Sequence, residues 1–124
     1  MIDGKKLLRS FGYAFKGIAR LLKTEQNARI HFTAMVVAFL LAILFHVNHL
    51  EAAILFMAVV LVFAMEIINT AIEKIIDLLH PDNHHIIEKV KDALAGSVLI
   101  AATIATVVAL LVFYPYIKHL LINY

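Results

Sequence analysis

Apolar residues are arranged along this chain in two ways: as a one-sided stripe near the start, then as long runs with few interruptions. Leu7, Leu8, Phe11, Ala14, Phe15, Ile18, Leu21 and Leu22 recur at helical spacing, with Lys5, Lys6, Arg9, Lys16, Arg20 and Lys23 mostly opposite them. This predicts an amphipathic helix over residues 5–23. Such a stripe can lie on an inner leaflet or pack against protein. Gly12 and Gly17 weaken its regularity, each by up to about 1 kcal/mol relative to alanine.

The runs that follow predict three spans. The first covers about residues 30–47 and leaves through the polar step His46-Val47-Asn48-His49. The second covers residues 51–79, carries no charge from Ala52 to Met65, and is stopped by Pro81. At about 1.5 Å per residue it exceeds a hydrocarbon core of about 30 Å, so its polar C-terminal half must emerge from the bilayer. The third covers about residues 92–117 and carries Ala93, Ser97, Ala101, Ala105 and Ala109 at four-residue spacing, a ladder that lets helix backbones approach closely in lipid. The expected fold is an all-α integral membrane protein. One domain, residues 1–124, combines an amphipathic surface helix with three transmembrane helices.

Composition agrees. Apolar residues make up 63% of the 124 positions and mean hydropathy is +0.91, well above the roughly 45–50% of an ordinary soluble domain. The chain has no cysteine, which excludes a disulfide framework and a thiolate metal site. The net charge of +2 conceals an asymmetry, since Lys5, Lys6, Arg9, Lys16, Arg20, Lys23 and Arg29 all precede the long apolar runs. The positive-inside rule then places the N-terminus and the Pro81 turn in the cytoplasm and the His46–Leu50 loop outside. The first apolar run starts too late for a secretory signal, so the N-terminus is expected to be retained in a multi-pass plasma-membrane protein.

The second span carries the chemistry. Counting about 100° per residue from Glu66, Asn69 falls near 300°, Glu73 near 340° and Asp77 near 20°, on one narrow face. Ionisable groups at membrane depth cost at least about 2.5–3.5 kcal/mol near the centre on insertion scales and point to function. The structural alternative is an interhelix ion pair, with Lys91 or Arg29 as partner. Glu25, just before the first span, and Lys91-Asp92, opening the third, reach the same level. Carboxylates, an amide and a lysine at one depth are suited to a metal–nucleotide, since oxygen ligands suit Mg²⁺ and lysine neutralises phosphate. No Gly-x-x-x-x-Gly-Lys-Ser/Thr loop is present, so a P-loop site is not expected.

Glu66-Ile-Ile-Asn-Thr-Ala-Ile-Glu73-Lys-Ile-Ile-Asp77, followed by Val90-Lys91-Asp92-Ala-Leu-Ala-Gly-Ser97, closely resembles the prokaryotic diacylglycerol kinase and undecaprenol kinase family. Phe11-Gly-Tyr13-Ala-Phe-Lys-Gly17 and Glu25-Gln-Asn-Ala-Arg29 extend the resemblance over nearly the whole chain. It implies a homotrimer with active sites shared between neighbouring protomers and an ATP-dependent lipid kinase that uses Mg²⁺. By motif, Glu25 and Glu73 resemble the metal ligands, Glu66 the base for the lipid hydroxyl with Asn69 beside it, and Lys91 with Asp92 the nucleotide-binding pair. Tyr13 and the loop Asp82-Asn83-His84 fall where the family contacts nucleotide, and Arg29 with Glu66 is expected at the lipid substrate. No nucleic-acid partner is expected.

His31 stands where the diacylglycerol kinase branch tends to have a carboxylate, and the chain has no tryptophan. Both features resemble the Gram-positive undecaprenol kinase branch, so undecaprenol is the expected substrate and diacylglycerol the alternative. A small proton or cation transporter would also use Glu66 and Glu73, but it has no need of Lys91-Asp92 beside Glu25. His46 and His49 have metal-compatible spacing but no third ligand, and read as loop residues. Tyr114, Tyr116 and Tyr124 read as an interfacial belt.

Overall fold

A computed structural model describes residues 3–81 and 85–122. They form four helices: α1 (Gly4–Thr24), α2 (Gln26–Leu44), α3 (His49–Leu79) and α4 (His85–Ile122). The last three are long and apolar enough to cross a membrane. At about 1.5 Å per residue, the 31 residues of α3 and 38 of α4 make rods of about 47 and 57 Å, longer than the hydrocarbon core.

α1 starts where Asp3 accepts hydrogen bonds from the backbone N–H groups of Lys5 and Lys6, at 3.0 and 3.3 Å. None of its residues is buried, so both its apolar stripe and its basic face are free within the protomer. A single extended residue, Glu25 (φ −108°, ψ 123°), ends α1 and begins α2. α2 therefore starts at residue 26, ahead of the apolar run that begins near Ile30, because the chain turns in one residue.

The far end of α2 also closes earlier than its hydropathy suggests. His46 adopts φ +52°, and its N–H reaches the Ile43 carbonyl while that of Val47 reaches Ala42, at 3.1 and 3.0 Å. This paired closure is a Schellman ending, with histidine in the left-handed position that glycine usually takes. Asn48 then caps α3, accepting from the N–H groups of Leu50 and Glu51. His46 and Asn48 thus have structural duties.

α2 and α4 both pack on α3 and barely on each other. Phe32 stacks on Phe63 and Phe39 on Phe56, with ring centroids 5.5 and 5.2 Å apart. Leu55, Val59 and Val62 of α3 form the core with Ala101, Ala105, Val112 and Phe113 of α4. The alanine ladder does bring α4 close to α3, although Ala93 at its start is exposed. Tyr116 is not a free belt residue: its hydroxyl donates to Glu51 Oε2 at 2.7 Å and accepts from the Asn48 N–H at 3.4 Å. Tyr124 lies outside the described residues. At the opposite end Lys91 pairs with Asp77, so the same antiparallel register of α3 and α4 is tied at both ends.

Candidate active site

One face of α3 changes character along its length. Val59, Val62, Glu66, Asn69 and Glu73 follow three- and four-residue steps, so the row that forms the core floor lower down continues upward as polar groups. Glu66 is 3% exposed, Asn69 7% and Thr70 5%. Glu73, one turn on, is half-buried and Asp77 is exposed. The Asn69 amide donates to Glu73 Oε1 at 3.3 Å, while its buried Oδ1 has no partner. Thr70, four residues on from Glu66, is buried on the same side of α3.

Glu66 and Asn69 form the floor of a cleft of about 340 Å³ whose walls include Asn27, Ile30 and His31 of α2 and Ala95, Val98 and Leu99 of α4. At its rim Glu25 is held by Lys74, with Nζ–Oε1 at 2.7 Å, and by the Thr24 hydroxyl at 3.1 Å. The Lys74 ammonium first, then the Thr24 hydroxyl, hold the Glu25 carboxyl below the usual carboxylate range.

The structure thus gathers Glu66, Asn69, Glu73 and Glu25 at one end of the spans. Lys91 is at the same end, engaged with Asp77. Asp92 is exposed next to it and Tyr13 is exposed on α1. Arg29 donates to the Lys23 carbonyl at 3.4 Å and is not among the residues lining the cleft. Asp82, Asn83 and His84 lie outside the described residues. Sequence reasoning passed over Thr70, Lys74 and Asn27. Thr70 was within reach of it, four residues from Glu66 on the same face; Lys74 and Asn27 depend on how helices pair.

Among the described residues no three histidine or carboxylate groups converge as a metal cage. Glu25 and Glu73 offer hard oxygen donors, and the orphaned Asn69 oxygen is another. Mg²⁺ normally keeps one or two carboxylates and takes its other ligands from phosphates and water. The donor set therefore suits a metal delivered on a nucleotide.

Three helices able to cross a membrane thus carry a buried carboxylate and amide under a rim of carboxylates and lysines, the layout of a candidate membrane-embedded active site. The sequence model of the family described as prokaryotic diacylglycerol kinase matches residues 12–113. The undecaprenol kinase of Bacillus subtilis is 33% identical over 110 residues, covering 89% of each chain. A diacylglycerol kinase of Synechocystis is 35% identical over 117 residues, 94% of this chain and 67% of the relative, and that of Escherichia coli K12 is 28% identical over 102 residues, 82% and 84%. The chain belongs to the prokaryotic diacylglycerol kinase family. It is a lipid kinase that uses ATP.

Proposed function

We propose that this kinase transfers the γ-phosphoryl group of ATP to undecaprenol, giving undecaprenyl phosphate and ADP. The observation that carries the reading is the buried pair Glu66 and Asn69, with an unpaired amide oxygen, at the level where the apolar floor of α3 gives way to carboxylates. A lipid alcohol meets both environments there. Its hydroxyl oxygen bonds to the γ-phosphorus as the bond to the bridging β–γ oxygen breaks, and the hydroxyl proton goes to the Glu66 carboxylate. Before transfer Asn69 Oδ1 accepts from the hydroxyl while its amide group stays on Glu73, and the O–H then turns to Glu66, which takes the proton as the new bond forms. Glu25 and Glu73 would hold Mg²⁺, which when bound screens the phosphate charge. Lys91, released from Asp77, neutralises phosphate oxygens beside Asp92, with Tyr13 and the Asp82-Asn83-His84 loop as further nucleotide contacts.

The proposal includes the homotrimer with shared sites that the sequence motifs imply. The basic α1 and Arg29 support a cytoplasmic rim. Undecaprenol is supported by the Bacillus relative's name over 89% of both chains; the Synechocystis relative's name supports diacylglycerol as the alternative. The test offers purified protein undecaprenol and diacylglycerol in separate mixed micelles with Mg-ATP. A higher kcat/KM for undecaprenol is expected, and a clear preference for diacylglycerol overturns the substrate assignment.

A further inference from the structure

Because α2 and α4 sit on α3 with little contact between them, a groove descends between them with α3 as its floor. At the site end its floor is Glu66 and Asn69. Further into the spans the floor becomes Val59 and Val62, and the walls become Ala34 and Ala38 of α2 and Ala105 and Ala109 of α4, enclosing about 160 Å³. His31 and Ala102 line both parts, which makes the polar cleft and the apolar groove continuous.

Small residues alone would signify helix packing. Two further features point to a ligand. Ala34 and Thr106 on the walls are exposed, so within the protomer the groove is open along one side rather than closed as a packed seam. At its head stands Asn69, more than nine-tenths buried, with an oxygen that has no partner.

We infer that this groove seats a single hydrocarbon chain of the lipid alcohol, leading its hydroxyl to Glu66 and Asn69. The inference rests on the lipid-alcohol reading above and adds where the chain runs and how many chains fit. A helix of a second copy laid on the groove with apolar side chains would leave the buried Asn69 oxygen unpaired, whereas a lipid alcohol brings a hydroxyl to it. A second chain, as in a glyceride, would stay outside in the lipid. One chain enters alone, and the alanines leave a notch at each turn for the methyl branches of a polyprenol.

Photocrosslinking of the whole wild-type protein in mixed micelles tests this, using an undecaprenol with a diazirine in its first isoprene units and a diacylglycerol with the same group at matching depth. The polyprenol label is expected on Ala34–Ala38 and Ala102–Ala109 and is removed by excess undecaprenol. Label confined to the outward-facing Leu40, Leu61, Ile100 and Leu111 overturns the groove, and equal groove labelling from both chains of the diacylglycerol overturns the single chain. Filling the groove with Ala105→Phe should raise KM for undecaprenol about tenfold or more, equivalent to about 1.4 kcal/mol, with KM for a five-carbon prenol and for Mg-ATP unchanged. Ala105→Leu gives a smaller shift in the same direction if the larger variant does not fold. Unchanged undecaprenol KM in the folded variant overturns the inference. If the wild type phosphorylates no lipid alcohol, the proposed function falls and this inference with it; phosphorylation with an unlabelled groove removes this inference alone.

Discussion

The two ends of the spans are built on opposite terms. At the end with the His46 turn, the polar groups are tied: Tyr116 joins Glu51 and Asn48, Asn48 caps α3, and Phe45 lies 6.0 Å from Phe113 between ring centroids. At the other end the carboxylates are held by partners that can be exchanged. Glu25 is on Lys74, Asp77 is on Lys91, and Asn69 keeps an oxygen unpaired. One end ties the register of the helices, and the other holds its charges in pairs that are open to exchange.

The sharpest way to break this contrast is at Glu66. Glu66→Gln keeps the shape but removes the proton acceptor, and should lower kcat about 10²–10⁴-fold with little change in KM for Mg-ATP. Steady-state kinetics with saturating nucleotide reads it; near-normal kcat would move the base elsewhere.

Next come the rim carboxylates. Glu25→Gln and Glu73→Gln should each raise the Mg²⁺ concentration for half-maximal rate by about 10–100-fold, as expected when at least the 1.5–3 kcal/mol of a charged contact is lost. Folding should survive, as judged by the circular dichroism melt. Unchanged Mg²⁺ dependence in both variants would remove the metal assignment.

At the tied end the expected loss is stability without activity. Tyr116→Phe deletes a hydrogen bond to a carboxylate, for about 1.5–3 kcal/mol, and Asn48→Ala deletes a cap, for about 1 kcal/mol. Both should lower the unfolding midpoint in detergent and leave kcat of the folded enzyme within about twofold. A fall in kcat to match the Glu66 variant would erase the distinction between the ends.

The exchangeable pairs predict smaller effects. Asp77→Asn frees Lys91, and an exposed pair is worth about 0–1 kcal/mol, so nucleotide KM should change less than about fivefold. Lys74→Met should return the Glu25 carboxyl toward its ordinary range, read by carboxyl ¹³C chemical shift during a pH titration. Since the pair depresses the Glu25 pKa, its stabilisation is present at neutral pH and is lost as pH falls below the ordinary carboxylate range. An unmoved Glu25 titration would show that Lys74 is not its partner.

Much of this molecule is legible along the chain. Three apolar runs must be helices in a bilayer, because backbone groups have no other partners there. A fixed helical period then places Glu66, Asn69 and Glu73 on one face before any neighbour is known. The pattern also marks α1 as a one-sided basic helix. Its limits show at helix ends, where Glu25 turns the chain in one residue and His46 closes α2 at positive φ, both local conformations with no hydropathy signature.

Tertiary structure alone decided which charges meet. Lys74 reaches back to Glu25 across 49 positions, Tyr116 to Glu51 across 65, and the groove beneath Glu66 exists because α2 and α4 share α3 without packing on each other. Periodicity within a helix fixes directions around its own axis. Pairing, burial and empty space depend on the register between helices, which is set by the fit of their side chains, and that is why the sequence put the candidate groups on one face while the fold determined their partners and the groove beneath them.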